Sequence, residues 1–154
     1  MKDYEAMGAV YTLNQEDPEF DKKLKEVIAK VKPSVCFDAV VGDLGGKIFK
    51  AMPAYAHHYI YGGLSGKPMP EVTIEDTLFA KKQIRGFWLS EQYPKMSKER
   101  ALEDLDYISA DIMLKENSCF KQKIVGEYKL EDFGKVLKEY AGVAASGKLI
   151  FKLN

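Results

Sequence analysis

Residues 34–46 have the sequence Ser-Val-Cys-Phe-Asp-Ala-Val-Val-Gly-Asp-Leu-Gly-Gly, and this stretch decides the fold. Its first eight residues, 34–41, are almost continuously apolar, which is typical of a strand buried on both faces in a parallel sheet. Gly42 to Gly46 predicts a turn, and a short helix is predicted to follow to about Met52. A strand, a turn and a helix in this order indicate one unit of an α/β fold.

Extended and helical segments alternate on both sides of this unit. Pro18 suits a first helical turn and opens a helix that is predicted to end at about Lys32, with apolar residues at helical spacing. Strands that alternate with helices predict a parallel sheet with helices on both faces. The other predicted segments are helix 2–7, strands 9–13, 55–61, 83–89 and 149–153, an extended piece 124–128, and helices 74–82, 97–116 and 130–140.

The same periodicity predicts which side chains are buried. Cys36 is expected in the core, and Asp38, on an apolar strand, is expected to be a buried acid with a raised pKa. Helix 97–116 is expected to bury one apolar stripe. That stripe consists of Leu102, Leu105, Ile108, Ile112 and Met113.

The bulk composition excludes several classes of protein. The 154 residues suit one domain, and 23 basic against 23 acidic residues give no net charge, which argues against a nucleic-acid binder. No apolar stretch approaches the roughly 18–20 residues of a membrane span, and the first residues carry no signal-peptide core. Cys36 and Cys119 suit free thiols in a reducing compartment. We therefore expect a protein of the cytoplasm or the mitochondrion that is not secreted.

Five stretches together resemble the medium-chain dehydrogenase/reductases, in their zinc-free quinone oxidoreductase and enoyl reductase branch. They follow the family's order and spacing and cover essentially the whole chain, and the Gly-Phe-Trp-Leu-Ser run is the most distinctive. The stretches are Gly8-Ala9 with Asn14, Phe37-Asp38-Ala39-Val40 before Gly42, Tyr61-Gly62-Gly63-Leu64-Ser65-Gly66, Arg85-Gly86-Phe87-Trp88-Leu89-Ser90, and Ser146-Gly147-Lys148-Leu149-Ile150.

The resemblance covers only the C-terminal part of the family's cofactor domain. It implies an α/β fold with a partial Rossmann-type parallel sheet and flanking helices that lacks the first two strands. The family's glycine-rich loop is missing too, because no G-x-G-x-x-G run follows a strand and Gly42 to Gly46 lacks that spacing. Residues 1–154 are expected to form a single partial nucleotide-binding domain, in which 141–154 hold a terminal strand that normally joins the catalytic domain.

Missing strands leave others without partners. Strands 1 and 2 normally lie between strand 3, here residues 9–13, and strand 4, so residues 9–13 are expected to need another source of hydrogen bonds. Strand 149–153 has the same problem because the catalytic domain is absent. Three interpretations stay open: a fragment of a longer product lacking an N-terminal segment, a subunit completed by another chain, or a rearranged sheet. A dimer through the edge strand Gln83–Leu89 is a further expectation from the family.

The resemblance also implies nine residues near an NADP(H) cofactor. Gly62, Gly63 and Ser65 would line its nicotinamide side, although a turn that needs small residues explains them too. Phe87, Trp88 and Leu89 would contact the carboxamide, or would serve packing or an interface. Asn14, Gln15 and Gly42 would lie near its riboses, although Gln15 departs from the Tyr or His that relatives often carry there.

The sequence offers no candidate catalytic residue and no metal site. His57 and His58 are neighbours on a predicted strand, so they point to opposite faces and cannot chelate one ion together. Neither a Cys-x-x-Cys motif nor a nucleophile elbow is present.

Two functions compete on this evidence. In the first, the chain is the C-terminal cofactor-domain portion of an NAD(P)H-dependent quinone or enoyl reductase, inactive alone and holding NADP(H) weakly or not at all. In the second, the chain is a non-catalytic, reductase-derived structural subunit of a larger assembly. The missing phosphate loop and the unpaired strands motivate the second hypothesis.

Overall fold

The computed structural model describes residues 2–70, 72–114, 118–140 and 147–153, in which parallel strands alternate with helices. The chain divides into two compact units, residues 1–101 and 102–154. The α/β class and the partial Rossmann-type sheet are therefore confirmed, but the strands form two parallel sheets rather than one. Compact units can belong to one folding domain, so the single-domain assignment stays a prediction. None of the helices within the described ranges is long and apolar enough to cross a membrane.

The first unit carries a three-stranded parallel sheet in the order β1-β2-β3. Its register pairs Cys36 on β1 with His58 on β2, and His58 in turn with Ile84 on β3. The elements are α1 Lys2–Ala6, α2 Phe20–Val31, β1 Val35–Asp38, α3 Gly42–Ala51, β2 His57–Ile60, a π-helical turn Glu75–Phe79, β3 Gln83–Gly86, α4 Leu89–Gln92 and a 3₁₀ turn Tyr93–Lys95. Helix α5, Lys98–Ile112, begins in this unit, and most of its residues belong to the second unit.

The core of the first unit forms where α2 lies against α3. Phe20, Leu24 and Ile28 recur at helical spacing along α2 and are buried against Leu44 and Ile48 of α3. Phe49, on α3, is buried against His58 of β2, at 5.8 Å between ring centroids. Helix α3 therefore covers the sheet face that carries His58.

The opposite face of this sheet is far less covered. Phe37 stacks on Tyr59 at 5.7 Å, and Tyr59 stacks on His57 at 6.2 Å. The outermost ring, Phe37, is nevertheless 73% exposed, and Val35 on the same strand is also exposed. The prediction of strands buried on both faces is thus wrong for β1 in the described structure, because its outward apolar residues have little packed against them.

A buried lysine fixes the C-terminal end of α3. The Nζ atom of Lys82 donates hydrogen bonds to Asp76 Oδ1 at 2.9 Å and to the carbonyl oxygens of Phe49 and Lys50 at 3.1 and 2.9 Å. These carbonyls lie in the last turn of the helix, where a cation is favourable. Asp76 also accepts the backbone N–H and the hydroxyl of Thr73. Burial acts to raise the pKa of Asp76, but the bonds from Lys82 and Thr73 outweigh it and lower that pKa.

The second unit has a two-stranded parallel sheet. Its elements are β4 Ile124–Lys129, a 3₁₀ turn Leu130–Asp132, α6 Phe133–Tyr140 and β5 Lys148–Lys152. Phe151 of β5 contacts Tyr128 and Phe133, with ring centroids 6.1 and 5.2 Å apart, and Val136 of α6 is buried. The expectation that the terminal strand lacks a partner is therefore wrong, because β5 pairs with β4. Residues 141–146 of the predicted terminal segment lie outside the described residues.

Three further expectations are corrected. Residues 9–13 form no strand, because none of the described strands pairs with them, and an extended segment becomes a strand only through a ladder of hydrogen bonds. Predicted strand 83–89 ends at Gly86, and Leu89 already begins α4. Helix α5 buries none of its residues.

The apolar stripe of α5 shows that helical periodicity does not by itself predict burial. Ile108 is half-buried, and the other four residues of the stripe are exposed. An amphipathic pattern indicates that a helix face needs a partner, but it does not indicate that the partner lies in the same chain.

The Lys82 anchor generates a prediction about stability. We expect Lys82→Met to lower the free energy of unfolding by about 3–5 kcal/mol, because Asp76 would lose the cation that compensates its buried charge. The matched control is Lys22→Met, which removes a lysine whose side chain is 70% exposed and should change stability by less than about 0.5 kcal/mol. Urea denaturation of both variants measures the difference, and equal effects would contradict the anchor role.

Candidate functional site

The carboxyl ends of β1, β2 and β3 meet at one edge of the sheet, where ligands bind in open α/β folds. The backbone joins the loops that follow these strands. Leu64 N–H donates to Ala39 O and Ser65 N–H donates to Val40 O, both at 3.0 Å. Phe87 N–H donates to Ile60 O at 2.8 Å. The three loops therefore form one continuous surface, which we call the carboxyl edge.

Asp38, the last residue of β1, organises this edge. Its Oδ1 atom accepts the backbone N–H groups of Val40 and Val41, both at 2.8 Å. Its Oδ2 atom lies 2.8 Å from Nε2 of His58 on β2. One carboxylate thus connects two strands and the turn that leads into α3.

The turn held by Asp38 is strained. Val41 has a φ of 61° and a ψ of −145°, a backbone conformation that a β-branched residue rarely adopts. Such a residue costs about 1–3 kcal/mol and persists only where its surroundings determine it. The bond from Val41 N–H to Asp38 supplies that determination, and the same turn sets the direction in which α3 begins.

The sequence-based expectation of a raised pKa for Asp38 is wrong. Burial does act to raise it and is the largest effect. The N–H groups of Val41 and Val40 and the His58 ring act in the other direction, and together they hold the pKa of Asp38 below its ordinary value. A pattern of apolar neighbours indicates burial, but it does not reveal which donors the fold brings to the carboxylate.

Three of the predicted site residues come together at this edge. A Cβ atom on Gly42 would lie 2.8 Å from Ser65 Oγ, and a Cβ on Gly62 would lie 2.8 Å from the carbonyl oxygen of Ala39. Gly63, in contrast, has open space around it. Close packing between loops therefore explains Gly42 and Gly62 in part, whereas it does not explain Gly63.

The remaining predicted residues lie around the same edge. Asn14 and Gln15 are exposed and line a cavity of about 440 Å³, which is otherwise apolar and includes Val40 and Leu44. Asn14 Oδ1 accepts the Glu16 N–H and so shapes its own turn. Phe87, Trp88 and Leu89 are all exposed. Cofactor contacts by all nine residues stay a prediction.

The two adjacent histidines have separate roles. His57 stacks on Tyr59, whereas His58 contacts Phe49 and Asp38, so the two rings do lie on opposite faces of β2. No local sequence pattern predicts the bond between His58 and Asp38, because the two residues are 20 positions apart and the register of β1 and β2 is not a local property.

Cys36 is not a reactive group. It is half-buried rather than part of the core, and burial, with a smaller contribution from Asp38, raises the pKa of its thiol to about 11. A thiol with so high a pKa carries little thiolate near neutral pH, so we assign it no role in chemistry.

Comparisons with known proteins show which solved structures this chain is similar to. No protein-family profile and no curated protein matches the sequence, but solved structures do. A Mesorhizobium loti protein assigned as an NADPH:quinone reductase is 30% identical, with a TM-score of 0.67 over 81% of this chain and 35% of that one. A Bacillus thuringiensis protein with the same assignment is 18% identical, with a TM-score of 0.70 over 95% of this chain and 44% of that one.

The mitochondrial 2-enoyl thioester reductase heterodimer of Candida tropicalis is 20% identical, with a TM-score of 0.59 over 88% of this chain and 38% of that one. The resemblance to the medium-chain dehydrogenase/reductases is confirmed. The chain spans less than half the length of these medium-chain dehydrogenase/reductases. Their sheets are Rossmann-type, as in the first unit described above.

The glycines of the carboxyl edge offer a matched pair of variants. We expect Gly62→Ala to destabilise the fold by about 1–3 kcal/mol, because its methyl group would collide with the backbone at Ala39. Gly63→Ala meets nothing within 4 Å and should be neutral or slightly stabilising. Urea denaturation measures both, and a Gly63→Ala loss as large as that of Gly62→Ala would contradict the packing described here.

The lowered pKa of Asp38 predicts that the stability of the protein depends on pH. Because its pKa in the folded state lies below the ordinary value of 3.8, its contribution is present above pH 3.8 and is lost as the pH falls through the folded-state pKa. We therefore expect the parent chain to lose more free energy of unfolding on acidification through this window than Asp38→Asn does. Asp76 is present in both proteins, so its contribution to the pH dependence of stability cancels in the comparison. Parallel pH dependences in the two proteins would contradict the prediction.

Proposed function

We propose that this chain supplies the nicotinamide-binding side of an NADP(H)-dependent oxidoreductase of the quinone and enoyl reductase type. The observation that carries the proposal is the carboxyl edge, where Gly42 leaves no room for a side chain beside Ser65 and Gly62 leaves none beside Ala39. Next to them, Phe87 N–H is bonded to Ile60 O at the end of β2. Small residues at this edge suit the close approach of a flat nicotinamide ring. The similarity to NADPH:quinone reductases supports the choice of cofactor.

The residues present fit one end of the cofactor. Gly63 has open space around it, and Trp88 is exposed, so both are accessible at the carboxyl edge. At the pyrophosphate end, the described residues contain no glycine-rich loop between a strand and a helix. Hydrogen bonds to a charged group contribute about 1.5–3 kcal/mol each, and without the loop the pyrophosphate does not receive them. We therefore propose that the chain alone holds NADP(H) weakly.

The role of the chain in the reaction is orientation. When bound, the cofactor supplies the hydride chemistry. The chain's own part is to hold the cofactor's ring against the carboxyl edge through Gly62 and Ser65 and to fix that edge through Asp38. We assign it no proton-transfer group, and we propose that standalone catalysis does not occur because the substrate-facing groups come from elsewhere.

The first unit needs completion to do this. Strand β1 is an edge strand of the described sheet, with one side of its backbone unpaired. It also presents the exposed side chains of Val35 and Phe37. Unpaired strand edges and exposed apolar faces favour association. We propose that an additional segment or a second chain pairs with β1. The dimer through residues 83–89 stays a separate prediction, because β3 is the other edge of this sheet.

The exposed face of β1 also favours a second candidate function. A reductase-derived subunit without cofactor would use the same apolar surface to bind a partner in a larger assembly. The two functions differ in one respect: the first requires NADP(H) to bind at the carboxyl edge once the sheet is complete, and the second does not.

Trp88 provides a test that reports on the site itself. It is the only tryptophan of the chain, it is 69% exposed, and it directly follows Phe87 at the carboxyl edge. Titration with NADPH should give saturable energy transfer from Trp88 to the dihydronicotinamide. In Trp88→Phe the transfer should vanish, while calorimetry should still detect binding because the backbone of the edge remains.

The titration is done on the full chain and on the chain with any protein that copurifies with it. No calorimetric binding of NADPH in either form would overturn the reductase proposal. A stable complex in native mass spectrometry without NADPH binding would support the structural subunit instead. Binding without energy transfer in the parent chain would place the cofactor away from Trp88 and overturn the assigned site.

A further inference from the structure

We propose that His58 is a positioning residue of the carboxyl edge, which acts through Asp38 to fix the loops that carry Gly42, Gly62 and Ser65. The inference deepens the proposed function, on which it rests for the identity of the ligand. It assigns a role to a side chain that is fully buried, at 0% exposure, and does not reach the edge itself.

The geometry assigns the shared proton of the pair to Nε2 of His58. Nε2 lies 2.8 Å from Asp38 Oδ2, and an ionised carboxylate can only accept a hydrogen bond. Among the described residues, Nδ1 of His58 has no hydrogen-bond partner, so a proton placed there would be buried without an acceptor. His58 therefore donates, and Asp38 accepts.

The two carboxylate oxygens of Asp38 accept hydrogen bonds from different parts of the structure. Oδ1 takes the N–H groups of the turn, from Val40 and Val41. Oδ2 takes the imidazole of His58. Without His58, Oδ2 would be a buried charged atom without that donor, and the carboxylate would gain by rotating toward water. Rotation moves Oδ1 as well, so the strained conformation of Val41 would lose the bond that maintains it.

The effect passes from the first loop to the second through the backbone. Ala39 and Val40 accept hydrogen bonds from Leu64 and Ser65. Any displacement of the turn after β1 therefore displaces the loop after β2. Because even a Cβ atom on Gly62 would lie 2.8 Å from the carbonyl oxygen of Ala39, the two loops have little room to move independently.

A buried aromatic residue would fill the same space against Phe49, so packing alone does not explain a histidine at this position. An apolar replacement retains the contact with the ring and leaves Asp38 Oδ2 without its donor. The pair is thus separable by experiment into a packing part and a hydrogen-bonding part.

The experiment compares His58→Met, which has no donor, with His58→Gln, whose amide N–H reaches about as far as Nε2. His57→Met is the matched control, since it makes the same change one residue away on the opposite face of β2. Amide NMR spectra without ligand, and calorimetric titration with NADPH, are recorded for the four proteins. The expected result for His58→Met is shifted amide signals for Val40, Val41 and Ser65 and NADPH binding weakened about tenfold or more.

In His58→Gln the loop signals and the affinity should return to within about threefold of the parent chain, because a donor to a charged acceptor is restored. Unchanged loop signals in His58→Met, or effects of the same size in His57→Met, would overturn the inference. If the parent chain does not bind NADPH, the proposed function fails, and the loop signals still decide the positioning role.

A variant that does not fold leaves the parent chain as the test. Long-range ¹H–¹⁵N spectra of its histidine rings identify the protonated nitrogen of His58. A proton on Nε2 supports the inference, and a proton on Nδ1 alone overturns it, because His58 would then not donate to Asp38.

Discussion

The carboxylate of Asp38 is the group on which the arrangement of the carboxyl edge depends. A buried charge is tolerated only where donors surround it, and here the donors come from the turn after β1 and from β2. The requirement works in both directions. Asp38 keeps Val41 in a conformation that it would not otherwise adopt, and the strained turn keeps its N–H groups directed at Asp38. The position of α3 and the close approach of the loops after β1 and β2 both follow from these hydrogen bonds.

Local pattern predicted the elements of this fold far better than their pairing. The run at residues 34–41 and the helical spacing after Pro18 correspond to β1 and α2. Pairing depends on which strands are adjacent in space, and that information is not in a window of sequence. Residues 9–13 have a strand-like composition and no neighbour, whereas β5 was expected to lack a neighbour and pairs with β4. The exposed apolar stripe of α5 reflects the same limit. An amphipathic pattern indicates that one helix face should be buried, but it does not identify the surface that covers that face.

The candidate site shows the same difference between what local sequence predicts and what strand pairing determines. Gly62 and Ser65 were found through their resemblance to a family, and the structure brings them to one edge. Alternation along a strand predicts that His57 and His58 lie on opposite faces, but the bond from His58 to Asp38 depends on the register of two strands. The direction of the Asp38 pKa needed the same knowledge, because burial and hydrogen bonding act on it with opposite signs.

If the proposed function holds, completing the sheet and holding the cofactor are one requirement. In a doubly wound sheet the first strand lies beside the fourth, and the glycine-rich loop follows that first strand at its carboxyl end. The family resemblance assigns β1, residues 35–38, to the position of the fourth strand. A segment that paired in parallel with the free edge of β1 would therefore carry its own following loop to the carboxyl edge, beside Gly42. If that loop is rich in glycine, the phosphate cradle and the missing hydrogen bonds arrive together. If it is not, the same pairing stabilises the chain and leaves the nucleotide without its pyrophosphate contacts, which is the physical difference between a reductase portion and a structural subunit.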